Sequence, residues 1–275
     1  MSRSNRIKAG IVKDAAGLAP QTLSTQQRKI VELMKFDTNI EDNFNQPLIY
    51  SMVELSSGDL FDGTLAAGDE VAFNSGVAHY HAHVQSVDGT VANVFPSVSA
   101  DGLELNVDAN ATDGVLGWEV VPGGILANSR AAKTVGTDPT FIMEAKIKID
   151  TVANVTSLTV GFRKAEAFQA DFNAYDELCA IGVDDSGNID ISTILNNAAT
   201  DTTDTTANWA DGEEKTVRVT VDVNGKCSFS IDGSEPAVIA AFSFDAGEVV
   251  VPFIHLVSDT GNPGVSIAEL NTGLR

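Results

Sequence analysis

The chain has 275 residues, 43% of them hydrophobic and 20% charged, with a mean hydropathy of +0.04. That is long enough to bury a core, and the balance excludes a disordered acidic tail, a collagen-like fibre and a multi-pass membrane protein. Seventeen Lys and Arg against 38 Asp and Glu leave a net charge of −21, which repels nucleic acid phosphates and anionic lipid headgroups.

The charge is unevenly placed. Residues 1–35 carry Arg3, Arg6, Lys8, Lys13, Arg28, Lys29 and Lys35 against Asp14 and Glu32, a net of +5, so the other 240 residues carry −26. From Phe36 to Ser129 there are fourteen acidic residues and no Lys or Arg. A basic arm before an acidic body is the pattern of an interaction segment, and these seven cations are the candidate partner-binding residues. No apolar run of signal-peptide or membrane-spanning length follows the positive start. Within the arm, Gly17 and Pro20 break regular structure. Ser24–Lys35 then predicts one short helix, with Ser24 and Gln27 in capping-box spacing and Ile30, Val31 and Met34 on one face.

From about Phe36 onward, short period-2 runs separated by Gly, Asn and Asp turns predict an all-β domain over 36–275. Strands are expected at Val71–Phe73, His79–Val87, Leu103–Val107, Phe141–Ile149, Ser157–Phe162, Leu178–Val183, Ile189–Ile194, Thr216–Val223, Cys227–Ile231 and Val249–Val257. Asn224-Gly225 predicts a type I′ hairpin turn, and Asp232-Gly233 ends the return strand. In MEAKIKID, Ala145, Ile147 and Ile149 share one face while Lys146 and Lys148 share the other. Val217, Val219, Val221 and Val223 likewise oppose Arg218, Thr220 and Asp222. Strands apolar on one face need a second sheet, so the expected architecture is a two-sheet antiparallel jelly-roll sandwich. The Asp- and Thr-rich tract 194–216 reads as a surface loop whose end is pinned by Trp209. Cys179 and Cys227 sit in apolar runs and read as buried thiols of a chain assembled in a reducing cytoplasm; two such residues on paired strands could form a disulfide, but nothing in the spacing requires one.

Candidate chemistry is sparse. HYHAH places His79, His81 and His83 on one strand face, as in a three-histidine zinc site, but neighbours on one strand do not readily converge on a single ion. The simpler reading is imidazoles hydrogen-bonded to carboxylates. VDDSGNID, with Asp184, Asp185 and Asp190, departs from calcium-loop spacing and fits a hairpin turn. There is no paired-carboxylate E-x-D-x-x-E string, G-x-S-x-G, P-loop, dinucleotide fingerprint or HExxH. The expectation is therefore binding or scaffolding with no catalytic residues, no metal and no cofactor.

The segments ADGLELNVDANATDG, VGTDPTFIMEAKIKID, VGFRKAEAFQADFNAYDELCAIGV, ILNNAATDTTDTTANWADGEEKTVRVTVDVNGKCSFSIDG and AFSFDAGEVVVPFIHL resemble concanavalin-like, laminin-G-like jelly-roll domains in structural proteins of marine tailed bacteriophages. The resemblance runs from about Asn45 to the C-terminus and is most specific in Val160–Ala170, the NNAATDTTDTTANWADGE tract and Phe244–Phe253. It implies a virion surface component without catalytic activity. A capsid decoration or cement protein is the first expectation, with the major capsid protein and further copies of itself as partners. A carbohydrate-binding host-attachment domain on a fibre or capsid surface is the alternative.

Overall fold

The structure, a computed structural model, describes residues 40–275 except 47, 55–67, 85–94, 106, 108–115, 125–128, 130, 170 and 259–260. The chain divides into two units, Met1–Asn39 and Ile40–Arg275. The expected helix Ser24–Lys35 and the whole basic arm lie outside the described residues.

Seventeen strands are described in chain order: β1 (Ile40–Asp42), β2 (Ile49–Glu54), β3 (Glu70–Asn74), β4 (His79–Val84), β5 (Ser97–Ser99), β6 (Gly102–Leu105), β7 (Leu116–Pro122), β8 (Lys133–Thr134) and β9 (Phe141–Ile149). They continue with β10 (Ser157–Lys164), β11 (Leu178–Asp184), β12 (Asn188–Ile194), β13 (Asp201–Asn208), β14 (Glu214–Val221), β15 (Cys227–Ile231), β16 (Val249–Ser258) and β17 (Val265–Leu274). A seven-stranded sheet runs β15-β14-β9-β17-β6-β5, with β1 also on β17, and a ten-stranded sheet runs β13-β12-β11-β10-β16-β7-β4-β3-β2, with β8 on β16. All pairings are antiparallel.

The two sheets bury their facing sides against each other. Met143, Ala145 and Ile147 on β9 and Val217, Val219 and Val221 on β14 meet Leu158, Val160 and Phe162 on β10 and Ile189 and Ile191 on β12 in one core. Each of the Val, Leu, Ile, Met and Phe side chains contributes roughly 1.5–3 kcal/mol of burial. Lys146 and Lys148 project from the opposite face of β9 to Glu214 (2.8 Å) and Asp101 (2.8 Å). A strand is present at each of the ten expected places, although residues 85–87 and 106 of two of them lie outside the described residues, and the sandwich is the jelly roll expected from the alternation.

Several local expectations need correction. Asn224 does not take positive φ. Instead, the Gly225 amide donates to the Asp222 carbonyl (2.9 Å) with Gly225 at φ 85°. Asp222 Oδ1 also accepts from the amides of Asn224 (2.8 Å) and Lys226 (3.0 Å), so an aspartate-closed turn plus a glycine bulge replaces type I′. β14 ends at Val221, and the turn lifts Val223 out to 49% exposure, away from the valine face assigned to it. Two consecutive positive-φ residues do occur at the end of the return strand, at Asp232 (50°) and Gly233 (80°), between the bridged Ile231 and Ser234. The tract 194–216 is not all loop. Asp201–Asn208 is the edge strand β13, because its run of β-branched Thr suits a pleated edge. Thr205 turns inward, and Thr206 at φ 66° accompanies the register shift against β12. Trp209 pins the end of the tract as expected, 3% exposed, with its indole N–H donating to the Glu213 carbonyl (3.0 Å).

β10 and β11 approach so closely that a Cβ on Gly182 would lie 1.7 Å from the Leu158 carbonyl oxygen. Gly182→Ala is therefore expected to cost about 1–3 kcal/mol, read as a lowered urea midpoint. An unchanged midpoint would show that the two strands can part without penalty.

Candidate functional site

The strands of the larger sheet turn one side to the core and the other outward, and register lines up the outward residues. Glu70, His83, Glu119, His255, Thr159, Gly182, Asp190 and Asp204 are consecutive cross-strand partners from β3 to β13. A row of hydrogen-bonding side chains thus crosses eight strands, interrupted only at Gly182.

At one end, His79, His81 and His83 share the outward face as expected. Glu70 answers two of them: its Oε1 pairs with His81 Nδ1, and its Oε2 lies 3.3 Å from His83 Nε2. Burial alone would raise the Glu70 carboxyl, but the hydrogen bonds and charge of the two imidazoles overcome it and hold the group at about 2. Burial lowers His79, whose ring stands edge-on to His81 at 5.0 Å. Among the described residues no group of three or more His, Cys, Asp or Glu is arranged to hold a metal ion. VDDSGNID is a hairpin turn, with Asp184 Oδ1 accepting from the amides of Ser186 (2.9 Å) and Asn188 (2.8 Å). Burial first, and then the charges of Asp184 and Asp204, raise Asp190.

The centre of the row is covered by the chain itself. Residues 165–169 and 171–177, between β10 and β11, cross the outward face as a strap. Phe168 stacks on His83 (4.9 Å, 10°), Phe172 tilts over His255 (5.2 Å, 51°), and the Tyr175 ring lies 4.3 Å from the Arg163 guanidinium carbon. A short 3-10 turn, Phe172–Ala174, is capped by Asp171, whose side chain accepts from the Asn173 amide (2.9 Å). Beneath the strap, Arg163 Nη2 donates to Glu119 Oε1 (2.6 Å) and the Tyr175 hydroxyl donates to Glu119 Oε2 (2.6 Å). Both members of the ion pair are 0% exposed. Val121, Leu178, Ala180, Ile194, Val251 and Phe253 pack with Tyr175 into a second apolar cluster that seats the strap.

Other polar groups under or beside the strap have no protein partner: both ring nitrogens of His255, Thr159 Oγ1, His83 Nδ1, Arg163 Nε and both carboxylate oxygens of Glu177. Burial lowers His255 to about 4. Burial, and then Glu248 and Asp245, push Glu177 up to about 7.

The smaller sheet offers a different feature. A groove of 570 Å³ opens on its outward face, lined by residues that include Glu41, Asn43, Asn45, Lys146, Glu269 and Asn271.

The sequence-predicted partner residues Arg3, Arg6, Lys8, Lys13, Arg28, Lys29 and Lys35 lie outside the described residues. Reading the sequence missed Glu119, Arg163, Tyr175, Glu177 and His255. The available signal was a lone charged or polar residue within a run otherwise apolar on both faces, as in FIHL and LGWEVVP. Arg163 and the strap residues 165–169 fall within Val160–Ala170, one of the segments on which the sequence resemblance rests.

No family model and no curated protein matches the chain. Among solved structures it is similar to a Bacillus licheniformis β-glucanase, at 10% identity over 86% of this chain and 98% of that one with a TM-score of 0.44. It is also similar to a protein of unknown function from Shewanella oneidensis MR-1, at 14% identity over 93% and 95% with a TM-score of 0.41. A third is the carbohydrate-binding module CBM66 from Bacillus subtilis, at 9% identity over 62% and 90% with a TM-score of 0.39. What those proteins bind or cleave is a property of theirs. The strand order and the packing of the two sheets make this chain an all-β, two-sheet antiparallel jelly-roll sandwich.

Proposed function

We propose that the chain is a virion structural protein, a capsid decoration or cement protein that binds the major capsid protein and neighbouring copies of itself. The observation that carries this reading is the separation of charge, +5 on residues 1–35 and −26 on the remainder. Opposite signs on one polypeptide favour head-to-tail contact between copies, or contact of the arm with another acidic protein, and disfavour nucleic acid and anionic membranes. The polar row supports a scaffold over an enzyme, because Glu119 and Arg163 are sealed by the strap and spent on each other. In this reading the protein has no catalytic residues and no cofactor, and it is added to the particle in the host cytoplasm. Single exposed ion pairs contribute about 0–1 kcal/mol, so clamping relies on many copies and on apolar burial of arm residues such as Ile7, Ile11 and Ile30.

A chain lacking residues 1–35 is expected to remain a folded sandwich and to leave particles undecorated, and full-length binding is expected to weaken with salt. Full occupancy by the truncated chain in a particle-sedimentation assay overturns the reading.

One observation favours the alternative of a carbohydrate-binding host-attachment domain. The groove on the smaller sheet presents three Asn amides beside Glu41 and Glu269, a donor and acceptor set suited to sugar hydroxyls. Reproducible binding on a glycan array, lost in Asn43→Ala with Asn271→Ala, would move the function to receptor recognition.

A further inference from the structure

The chain contains two cysteines, and the fold brings them together. Cys179 lies on β11 of the larger sheet and is 0% exposed. Cys227 opens β15 on the edge of the smaller sheet and is 3% exposed. Both side chains point into the common core, so the two thiols meet from opposite sheets. Register sets them at one level of the sandwich: the rings of Phe141 on β9 and Phe162 on β10 meet at 5.0 Å, Cys179 is the cross-strand partner of Phe162, and Cys227 lies in the row of Phe141 through Val221. The Cys227 thiol also donates to the Gly225 carbonyl (3.8 Å), which fixes it through the turn that starts its strand. Both are free thiols in this structure.

We propose that Cys179 and Cys227 form an oxidation-dependent cross-link that joins the two sheets of the sandwich. In a chain with two cysteines, thiols that face each other at one level of the core are each other's intramolecular partners for a disulfide. The co-reactant is a low-molecular-weight disulfide such as oxidised glutathione. The thiolate of one cysteine attacks it, forming a mixed disulfide and releasing one small thiol. The thiolate of the second cysteine then attacks the protein sulfur of that mixed disulfide and releases the second small thiol. Two protein thiols are oxidised, one disulfide is reduced to two thiols, and the two cysteine protons pass to the departing thiolates.

Burial, together with the facing thiol, pushes Cys179 well above the usual thiol range, so little thiolate forms in the closed core. The link therefore forms while the core is open, during folding or partial unfolding, and resists reduction once the core has closed. It spans β11 to β15 and shortens the loops of the unfolded chain. A chain folded in a reducing compartment would gain this lock after passing into oxidising surroundings. The inference does not depend on the proposed function.

The test is to refold the full chain from denaturant with reduced and oxidised glutathione, and in parallel with dithiothreitol. Alkylation under denaturing conditions and intact mass then count the free thiols. The expected result is a monomer with no alkylated cysteine, a peptide map linking Cys179 to Cys227, and a thermal midpoint about 5–15 °C above the reduced form. Where oxidative refolding gives poor yield, the folded chain held at the foot of its urea transition with oxidised glutathione supplies the same measurements. Cys227→Ser should leave Cys179 as a free thiol or a glutathione adduct and abolish the midpoint shift. Two alkylated thiols after oxidation, a disulfide-linked dimer, or a linked monomer no more stable than the reduced chain would each overturn the proposal.

Discussion

Arg163→Met is expected to lower the stability of the sandwich by about 3–5 kcal/mol, the largest effect of any single substitution at the strap. The guanidinium and the Glu119 carboxylate are both fully buried at 2.6 Å, and neither can turn to water when the other is removed. The variant leaves Glu119 with only the Tyr175 hydroxyl as a partner, so most of the loss is the cost of an uncompensated buried charge. The pair itself contributes far less. Arg163→Met combined with Glu119→Leu should recover most of the stability, because two apolar side chains can pack against Val121, Leu178 and Phe253. Urea unfolding of the two single variants and the double variant closes a double-mutant cycle, and the expected coupling is several kcal/mol. If the single variants each lose less than about 1 kcal/mol, water reaches the pair and the strap is not a seal.

That dependence on the strap explains which parts of the molecule were legible in the sequence. Lys146 and Lys148 alternate with Ala145, Ile147 and Ile149 because β9 has one wet face, and the alternation fixed both strand and orientation. β10, β11 and β16 are buried on both faces, so the period-2 contrast vanishes and a polar residue gives no sign of its surroundings. His255 reads as one imidazole in an apolar run. Only the crossing of a segment some eighty residues earlier in the chain buries its ring against Phe172. Glu119 shows the same limit, since its partners Arg163 and Tyr175 are 44 and 56 residues away. β13 failed for another reason. Its Thr and Asp composition matched loop chemistry, and the decisive fact, an unpaired edge on β12 able to receive it, is a property of the sheet. Asp201 and Asp204 on that strand discourage further edge pairing.

Glu177→Gln is expected to stabilise the protein by about 2–3 kcal/mol at pH 8 and to change little at pH 4. The folded chain holds this carboxyl near 7 against an ordinary value of 4.5, so the folded state binds a proton that the unfolded state has released. The stabilisation from that proton is complete below pH 4.5 and is lost as pH rises through 7. Above this, the native chain carries a buried, unpartnered carboxylate facing Glu248 and Asp245. His255 acts in the opposite sense. Its folded value of about 4 lies below the ordinary 6.5, so its neutral form is favoured and stability is lost as pH falls from 6.5 through 4. Between pH 4.5 and 6.5 the two groups oppose each other, one gaining and the other losing about 1.4 kcal/mol per pH unit, and their joint contribution to the wild-type profile is flat there. Glutamine at 177 removes one limb and leaves the histidine slope exposed, so the variant should gain stability from pH 4.5 to 6.5 where the wild type does not. Urea midpoints at half-unit intervals from pH 4 to 8.5 read both curves. Parallel profiles would mean that the Glu177 carboxylate is solvated in the native protein, and the cause assigned to its shift would then be wrong.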